Sequence, residues 1–397
     1  KMLNLGNNNF IGHNRLSIID LTTDSNQPMF SKDNNFILVY NGEIYNYVEL
    51  RTELEKFGHV FSSNGDTEVL LSAFLQWGKK CLNKLNGMFA FVIYDKSTGR
   101  IFAARDRFGI KPLYYYYLKN KILFCSEIKQ ITTLKNFKSK ANINRAIDFI
   151  SWRIFNHTNE TMFQNVFQLK GGQYLDINLD SINENLLEKI KTWYSYKNLA
   201  NIEENKFSET ENIALFKQKL EESVRLRLRS DVPIATALSG GIDSSSLTTL
   251  VENIYPNSQT TFSSRSKNPY LDEYNFAEDV INNNKIKNHY NFFLDDDDIF
   301  DEIEKVVWYN DEPISSSSIV AQSKLFNNIN SKKFKVAING QGADEVLGTY
   351  GVNKPFYNEL KNKKLFRYLF KEVHSKSLRN NKKFYLFNYF RILLSTF

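Results

Sequence analysis

The sequence predicts a two-domain protein of the α/β and α+β classes. The first half is expected to form an antiparallel sheet structure, and the second half a doubly wound parallel sheet. Short apolar runs bounded by turn residues fill the first half of the 397-residue chain, as in antiparallel sheets. A polar Asn- and Glu-rich stretch occupies residues 180–212. Beyond it, a strand, a glycine-rich loop and a helical pattern follow one another twice, which is typical of parallel α/β sheets.

The first half predicts five strands, at residues 36–40, 88–94, 101–104, 113–118 and 122–125. Asn41-Gly42, a dipeptide frequent in turns, is expected to end the first of them. A Ser-Thr-Gly turn separates the second from the third, and Lys119-Asn120 separates the last two. Residues 67–77 have apolar side chains at helical spacing, and Asp66 is placed to cap that helix.

We expect residues 1–190 to form one domain and residues 212–397 a second, with 191–211 as the linker. After the linker, one helical face carries apolar side chains at four positions: Ile213, Phe216, Leu220 and Val224. Residues 233–238 predict a strand, and helical character resumes at Ser245. Residues 335–338 predict a second strand, which again runs into a glycine-rich loop.

Composition and cysteine usage exclude several classes of function. The 51 basic and 44 acidic residues give a net charge of +7, but the lysines are scattered, so nucleic acid is not the expected partner. No stretch reaches the roughly 18 uninterrupted apolar residues of a membrane span. Cys81 and Cys125 form no C-x-x-C pair, which argues against zinc and against a disulfide framework. A reducing cytoplasm is the expected compartment.

The stretch ALSGGIDSSSL, residues 237–247, has the features of a phosphate-binding turn. Gly240 and Gly241 let a phosphate approach bare backbone N–H groups, and the following helix start adds unpaired donors. Ser239 and Ser244 add hydroxyl donors, while Asp243 can hold Mg²⁺ or cap the helix. No lysine follows the glycines, so the turn suits a departing diphosphate, as in adenylation of a carboxylate by ATP. The alternative is a plain capped helix start.

A second loop, NGQGADE at residues 339–345, also follows a predicted strand. Two such turns in one parallel sheet can converge on one nucleotide. Asp344 is a second candidate metal ligand, although an acidic pair also simply favours a helix start.

The turn LSGGIDSS is similar to the SGGxDS loop of the PP-loop ATP pyrophosphatases, and with NGQGADEVLGTY behind it the second half resembles the synthetase domain of glutamine-dependent asparagine synthetases. The resemblance implies an adenine nucleotide α-hydrolase-like fold, with ATP and Mg²⁺ as ligands. It places adenosine against Leu238 and Ser264, and the nucleotide against Asn339 and Gly340.

The first half resembles a class II glutamine amidotransferase domain, through GHNRLSIIDL, QPM, YNGEIYNY, GDTEVLL, LNGMFAFVIYD and ARDRFGIKPLYYY in that order. The resemblance implies an Ntn-type αββα sandwich. It also implies a pocket for glutamine. The pocket residues would be Arg15 on the α-carboxylate, Asp66 with Glu43 on the α-ammonium, Asn41 and Gly42 as the oxyanion hole, and the backbone of Leu16, Ser17, Ile18 and Ile19.

Each of these pocket residues has an ordinary structural alternative. Arg15 could be a surface cation, Asn41-Gly42 a hairpin turn and Asp66 a helix cap. The ordered set of motifs favours the functional interpretation.

The chain departs from the family pattern in two respects. The family's nucleophile is an N-terminal Cys, but residue 1 here is Lys, so we expect the chain as written to be clipped at both ends and unable to hydrolyse glutamine. The family also has Glu where Gln341 stands. Glutamine can donate and accept hydrogen bonds but cannot take a proton from ammonia, which leaves the acceptor carboxylate open.

The function expected from these motifs is that of a glutamine-hydrolysing asparagine synthase, with glutamine, ATP and aspartate as substrates. The alternative acceptor is another carboxylate, such as a sugar acid in surface-glycan synthesis. A tRNA-thiolating PP-loop protein would carry cysteines in its second half, and none follows Cys125. A non-catalytic binding module is the remaining alternative. The oligomeric state stays open, with a homodimer as the candidate.

Overall fold

The computed structural model describes residues 1–6, 9–118, 121–179, 186–196, 207–294 and 299–347. The chain divides into two compact units, residues 1–338 and 339–397. The expected turn at Lys119-Asn120 and the expectations for residues beyond 347 lie outside the described residues. Among the helices in the described ranges, none has both the length and the hydropathy that crossing a bilayer demands.

The first half of unit 1–338 is built on antiparallel strands. In chain order they are β1 (Met2–Asn4), β2 (Phe10–Gly12), β3 (Met29–Phe30), β4 (Phe36–Ile44), β5 (Gly87–Asp95), β6 (Arg100–Arg105), β7 (Tyr114–Leu118), β8 (Lys121–Cys125), β9 (Val166–Gln168), β10 (Gln173–Asn178) and β11 (Ile190–Thr192). Six of them form one sheet in the order β11-β10-β6-β5-β4-β3, while β8-β7-β9 form a second sheet and β1-β2 a short pair. The predicted strands at 88–94, 101–104, 113–118 and 122–125 are confirmed.

Six α-helices accompany these strands within the described residues. They are α1 (Tyr47–Lys56), α2 (Asp66–Trp77), α3 (Cys81–Lys84), α4 (Lys129–Thr132), α5 (Ile143–Trp152) and α6 (Leu186–Lys189). Leu50 and Leu70 of α1 and α2 share one apolar core with Phe91 and Phe102 of the large sheet. The opposite face of the large sheet packs on the three-stranded sheet, whose own outer face covers Ile131 of α4.

The second half of the same unit contains a parallel sheet. Its elements are α7 (Glu209–Arg227), β12 (Ile234–Ala237), α8 (Ile242–Ile254), β13 (Thr260–Arg265), α9 (Tyr274–Asn283), β14 (Asn288–Phe293), α10 (Ile299–Asn310), α11 (Ser318–Ser331) and β15 (Val336–Ile338). The strands lie in the order β14-β13-β12-β15, and all three pairings are parallel. The predicted parallel sheet is confirmed.

Successive residues of β12 face opposite sides of this sheet. Ile234 packs against the cluster around Val251 of α8, whereas Ala235 packs against Ile329 of α11. Strand order reverses at β12, which has the next strand in sequence on one side and the last strand on the other. In such sheets the crevice for ligands lies at the carboxyl ends of the strands at this reversal.

Two local expectations were wrong. β4 continues through Asn41 and Gly42 to Ile44, because nine residues pair in register with β5, so the dipeptide forms no turn. Asp66 is the first residue of α2 and not its cap, since its carboxylate is bound elsewhere. The predicted helical face of Ile213, Phe216, Leu220 and Val224 lies on α7, where Val224 is buried while Ile213 and Phe216 are exposed.

Candidate active site

A cleft of about 1340 Å³ opens on one side of the large antiparallel sheet. It brings together eight of the nine residues expected to form a glutamine pocket: Arg15, Leu16, Ile18, Ile19, Asn41, Gly42, Glu43 and Asp66. Ser17 is the exception, since it does not line the cleft. These residues come from a loop, from β4 and from the start of α2, three segments that only the tertiary fold makes neighbours.

Gly42 lies close to the backbone of the facing strand β5. A Cβ atom there would lie 2.1 Å from Met88 O and 2.8 Å from Phe89 Cα, so only glycine fits this position. Gly87 on the facing strand is constrained in the same way by Glu43 O, at 2.2 Å from a built Cβ. The two glycines let the strands carry Asn41 and Glu43 into the cleft without a bulge.

Asp66 is a buried carboxylate with specific donors. Its Oδ2 accepts hydrogen bonds from the Tyr40 hydroxyl and from Ile44 N, both at 2.9 Å. Burial raises the pKa of Asp66, and these two bonds together with the charge of Arg15 oppose that rise. The side chain thereby joins the start of α2 to the middle of β4.

Glu43 is the second acidic group of the cleft, and it is 5% exposed. Its Oε1 is buried with no hydrogen-bond partner among the described residues. Burial, followed by the charge of Asp66, raises the pKa of Glu43 to about 7, while Lys111 acts in the opposite direction. A buried, unpaired carboxylate oxygen beside a second carboxyl suits a cationic ligand group such as an ammonium.

Arg15 points its guanidinium at its own loop. Nη1 donates to Thr22 O at 2.8 Å, and Nη2 donates to Ile19 O at 2.9 Å and to Asp20 O. A bidentate clamp on a ligand carboxylate therefore needs the guanidinium to exchange some of these bonds. That role of Arg15 stays a prediction.

Asp20 fixes the fold of this loop. Its carboxylate accepts bonds from Thr22, from Ser25 Oγ at 2.8 Å and from Asn64 N at 2.8 Å. Burial raises the pKa of Asp20, but these hydrogen bonds outweigh it and hold the pKa well below its ordinary value. The Arg15 loop is thus tied to residue 64, two positions before Asp66.

The candidate nucleotide turn lies at the carboxyl end of β12, at the reversal of strand order. The Ser239 and Ser244 hydroxyls lie 3.0 Å apart, and Ser244 Oγ donates to Gly241 O at 3.1 Å. Gly240 has φ +90°, and a Cβ there would lie 2.9 Å from Ala277 N of α9. Only glycine therefore closes the turn against α9.

The start of α8 is accessible beside this turn. A Cβ on Gly241 would meet only Ser239 Oγ, at 3.5 Å, and both Gly241 and Ile242 are exposed. Asp243 lies in the first turn of α8 and is half-buried. Backbone donors flanked by a carboxylate fit a phosphate group with its Mg²⁺. Within the described ranges, no cluster of three or more His, Cys, Asp or Glu is placed to hold a metal.

The two residues expected at adenosine flank the same turn. Leu238 is buried, and its N donates to Phe262 O at 2.9 Å. Ser264 lies near the end of β13 and is half-buried. Both therefore lie on adjacent strands at the carboxyl edge of the sheet.

The second glycine loop belongs to unit 339–397. Asn339 Oδ1 accepts a hydrogen bond from Gln341 N at 3.1 Å, and Gly342 has φ +95°. A short helix, α12 (Ala343–Leu347), begins immediately afterwards, with Asp344 in its first turn. The roles expected of Asn339, Gly340, Gln341 and Asp344 stay predictions.

Neither cysteine is a candidate nucleophile. Cys81 is buried in the core beneath the large sheet, and burial raises its pKa to about 12. Cys125 lines the cleft, but burial raises its pKa to about 12 as well. A thiol becomes a good nucleophile only when its pKa is low enough to give thiolate, so both are expected to be inert.

Sequence reasoning missed four side chains at the cleft: His13, Gln27, Tyr40 and Lys111. Gln27 Nε2 donates to Tyr40 O at 3.0 Å, and its Oε1 accepts from Tyr40 N. Gln27 therefore completes the edge of β4 in place of another strand. Tyr40 could have been found by strand periodicity, because it lies two residues from Gly42, whereas Lys111 reaches the cleft only through tertiary structure.

Comparison with known proteins gives two domain matches. Residues 4–189 match the family described as glutamine amidotransferase domain, and residues 215–393 match the family described as asparagine synthase. The class is therefore an amidotransferase domain joined to a synthetase domain in one chain.

Curated relatives match most of the chain. Asparagine synthetase (glutamine-hydrolysing) 1 of Bacillus subtilis is 32% identical over 86% of this chain and 52% of its own length. A Methanocaldococcus jannaschii protein named asparagine synthetase (glutamine-hydrolysing) 2 is 34% identical over 86% of this chain and 66% of its own length. The amidase chry2 of Gibberella zeae is 29% identical over 86% of this chain and 51% of its own length.

The chain belongs to the family of the glutamine-hydrolysing asparagine synthetases. It spans between about half and two thirds of the length of these relatives.

Proposed function

We propose that the protein is a glutamine-dependent asparagine synthase that uses ATP with Mg²⁺ in a reducing cytoplasm. Glutamine would be hydrolysed at the cleft of an Ntn-type αββα domain, and the ammonia would pass through the protein to a PP-loop domain. There it would attack an aspartyl adenylate and give asparagine, AMP and pyrophosphate. The observation that carries the proposal is the presence, in one chain, of a cleft with two buried carboxyl groups and of a glycine turn at the strand reversal.

The cleft residues would divide the work on glutamine. Glu43 and Asp66 would balance the charge of the α-ammonium, which neither carboxyl could do as well at the protein surface. The Asn41 amide and Gly42 N–H would donate to the oxyanion that forms when the side-chain amide is attacked. Arg15 would bind the α-carboxylate.

The turn after β12 would act on ATP. Backbone donors at residues 240–243 and the Ser239 and Ser244 hydroxyls would bind the two phosphates that leave as pyrophosphate. Asp243 would hold Mg²⁺, which would neutralise charge on the leaving group. Leu238 would pack against adenosine.

Transfer of the amide nitrogen tests the proposal. The protein at its full natural length, given amide-¹⁵N glutamine, aspartate, ATP and Mg²⁺, is expected to yield asparagine labelled on its side chain, read by mass spectrometry. A parallel panel of other carboxylates, including uronic acids, measures the choice of acceptor. Label appearing in a uronamide but not in asparagine would contradict the proposed acceptor, and no ATP-dependent transfer at all would indicate a binding module.

A further inference from the structure

The connector between α7 and β12, residues 228–233, contacts the loop that carries Arg15. Asp231 Oδ2 accepts a hydrogen bond from Asp20 N at 2.7 Å. In the opposite direction, Asp231 N donates to Ile18 O at 3.0 Å. The two bonds join segments that are 211 positions apart in the sequence.

The same connector also contacts the segment that follows β4. Arg229 donates to Tyr45 O at 2.8 Å and to both carboxylate oxygens of Glu49, at 2.6 and 2.5 Å. Tyr45 directly follows β4, the strand that carries Asn41 and Gly42. Residues 229 and 231 therefore contact the loop that carries Arg15 and the segment that directly follows β4.

A third contact comes from the neighbouring strand of the parallel sheet. Lys335 Nζ donates to Ser17 O at 3.4 Å, one residue before β15 begins. The backbone of residues 17–20 thus lies at the amino ends of β12 and β15. The glycine turn begins at the carboxyl end of β12. That end lies about 13 Å from the amino end of the strand, since β12 has four residues at about 3.3 Å each.

We propose that Asp231 is a positioning residue for glutamine, which acts from the synthetase half of the chain. It holds the backbone of residues 18–20, and Arg15 donates to the carbonyls of Ile19 and Asp20 in that same segment. The orientation of Arg15 therefore depends on Asp231. The inference rests on the proposed function, because it assumes that the cleft binds glutamine.

The surroundings of Asp231 indicate that replacing it would disturb the position of the loop and not the packing of the core. Asp231 is exposed, so its replacement removes no side chain from the core. Asp20 is 4% exposed, and losing the carboxylate leaves its N–H without that acceptor. The cost falls on the loop and not on the hydrophobic core.

The test compares three variants in the protein at its full natural length. Asp231→Ala removes the acceptor, whereas Asp231→Asn keeps an oxygen for Asp20 N. Asp311→Ala is the control for loss of a carboxylate that joins the same two halves elsewhere. Asp311 Oδ2 accepts a backbone bond from Ile128 N at 2.7 Å, and Asp311 also pairs with Lys129 at 3.0 Å. Glutamine affinity is measured by calorimetry, and synthesis is measured with glutamine and with ammonia as alternative nitrogen donors.

Asp231→Ala is expected to raise the dissociation constant and the KM for glutamine about three- to tenfold, as for one charged hydrogen bond near the surface. Ammonia-dependent synthesis should stay unchanged, and Asp231→Asn should restore most of the affinity. Unchanged glutamine affinity in Asp231→Ala, or an equal loss in Asp311→Ala, would overturn the inference. If the wild-type protein binds no glutamine, the proposed function fails and the inference falls with it.

Discussion

Two carboxyl groups, Glu43 and Asp66, give the cleft its chemical character. Asp66 has two donors from β4, and Glu43 has a buried oxygen without one among the described residues. The difference matters because an unpaired buried charge is costly, so Glu43 binds a proton more tightly than an exposed glutamate. The cleft is therefore expected to respond to pH near neutrality through Glu43.

We expect Glu43→Gln to remove a pH-dependent cost to stability. The pKa of Glu43 is about 7 in the fold against an ordinary value of 4.5, so the folded state holds the extra proton between these values. The free energy of unfolding of the wild type therefore falls as pH rises through that window and is level above it. Glu43→Gln lacks this loss and should exceed the wild type at pH 8 by up to about 3 kcal/mol.

Urea unfolding at pH 5 and pH 8 measures this difference. Glu55→Gln is the control, because Glu55 is an exposed carboxylate on α1. A stability gain in Glu43→Gln that is the same at both pH values would contradict the assignment, since a fixed gain reflects packing and not titration.

Several features of the cleft residues could not be predicted from the sequence. Asn41-Gly42 has the local preference of a turn, yet nine residues of β4 pair with β5 and override it. The need for glycine at position 42 comes from Met88 O across the sheet, which is a tertiary contact. The motif order identified the residues, whereas their contacts required the fold.

The glycine turn after β12 is the element on which the nucleotide proposal depends. Its shape is set by two neighbours: α9 packs against Gly240, and Ser239 and Ser244 bond to each other across the turn. Gly241 has no such constraint, since its φ is −67°. The two glycines therefore serve different purposes.

A matched pair of alanine substitutions separates these purposes. Gly240→Ala places a Cβ 2.9 Å from Glu273 O and Ala277 N at a positive φ, so we expect a loss of about 2 kcal/mol or more in unfolding free energy. Gly241→Ala should stay within about 0.5 kcal/mol of the wild type. Denaturant unfolding measures both, and equal stability of the two variants would argue against the close approach of α9.

At the scale of elements, the sequence predicted best where the pattern was local. The strand at 234–237 and its parallel partner at 336–338 follow from apolar runs that end in glycine loops. The apolar face of α7 was predicted less well, because Ile213 and Phe216 are exposed although their spacing is helical. Helical spacing fixes which residues share a face but not what covers that face.

In the molecule as a whole, the antiparallel half and the parallel sheet are joined by few but specific contacts. Asp231 contacts the loop that carries Arg15 and Arg229 contacts the segment after β4, while Asp311 and Glu312 accept backbone bonds from Ile128 and Met162. No sequence pattern predicts these contacts, because each contact joins residues more than 140 positions apart in the chain. Domain order was predictable, whereas the coupling of the halves was not.

The central claim is that the turn at residues 239–241 binds two linked phosphates as the leaving group of ATP. The most direct measurement follows nucleotide products in the protein at its full natural length, supplied with aspartate, ammonia, ATP and Mg²⁺. We predict AMP and pyrophosphate in equal amounts, and their loss in Asp243→Ala. Formation of ADP and phosphate, or unchanged pyrophosphate release in Asp243→Ala, would contradict the claim.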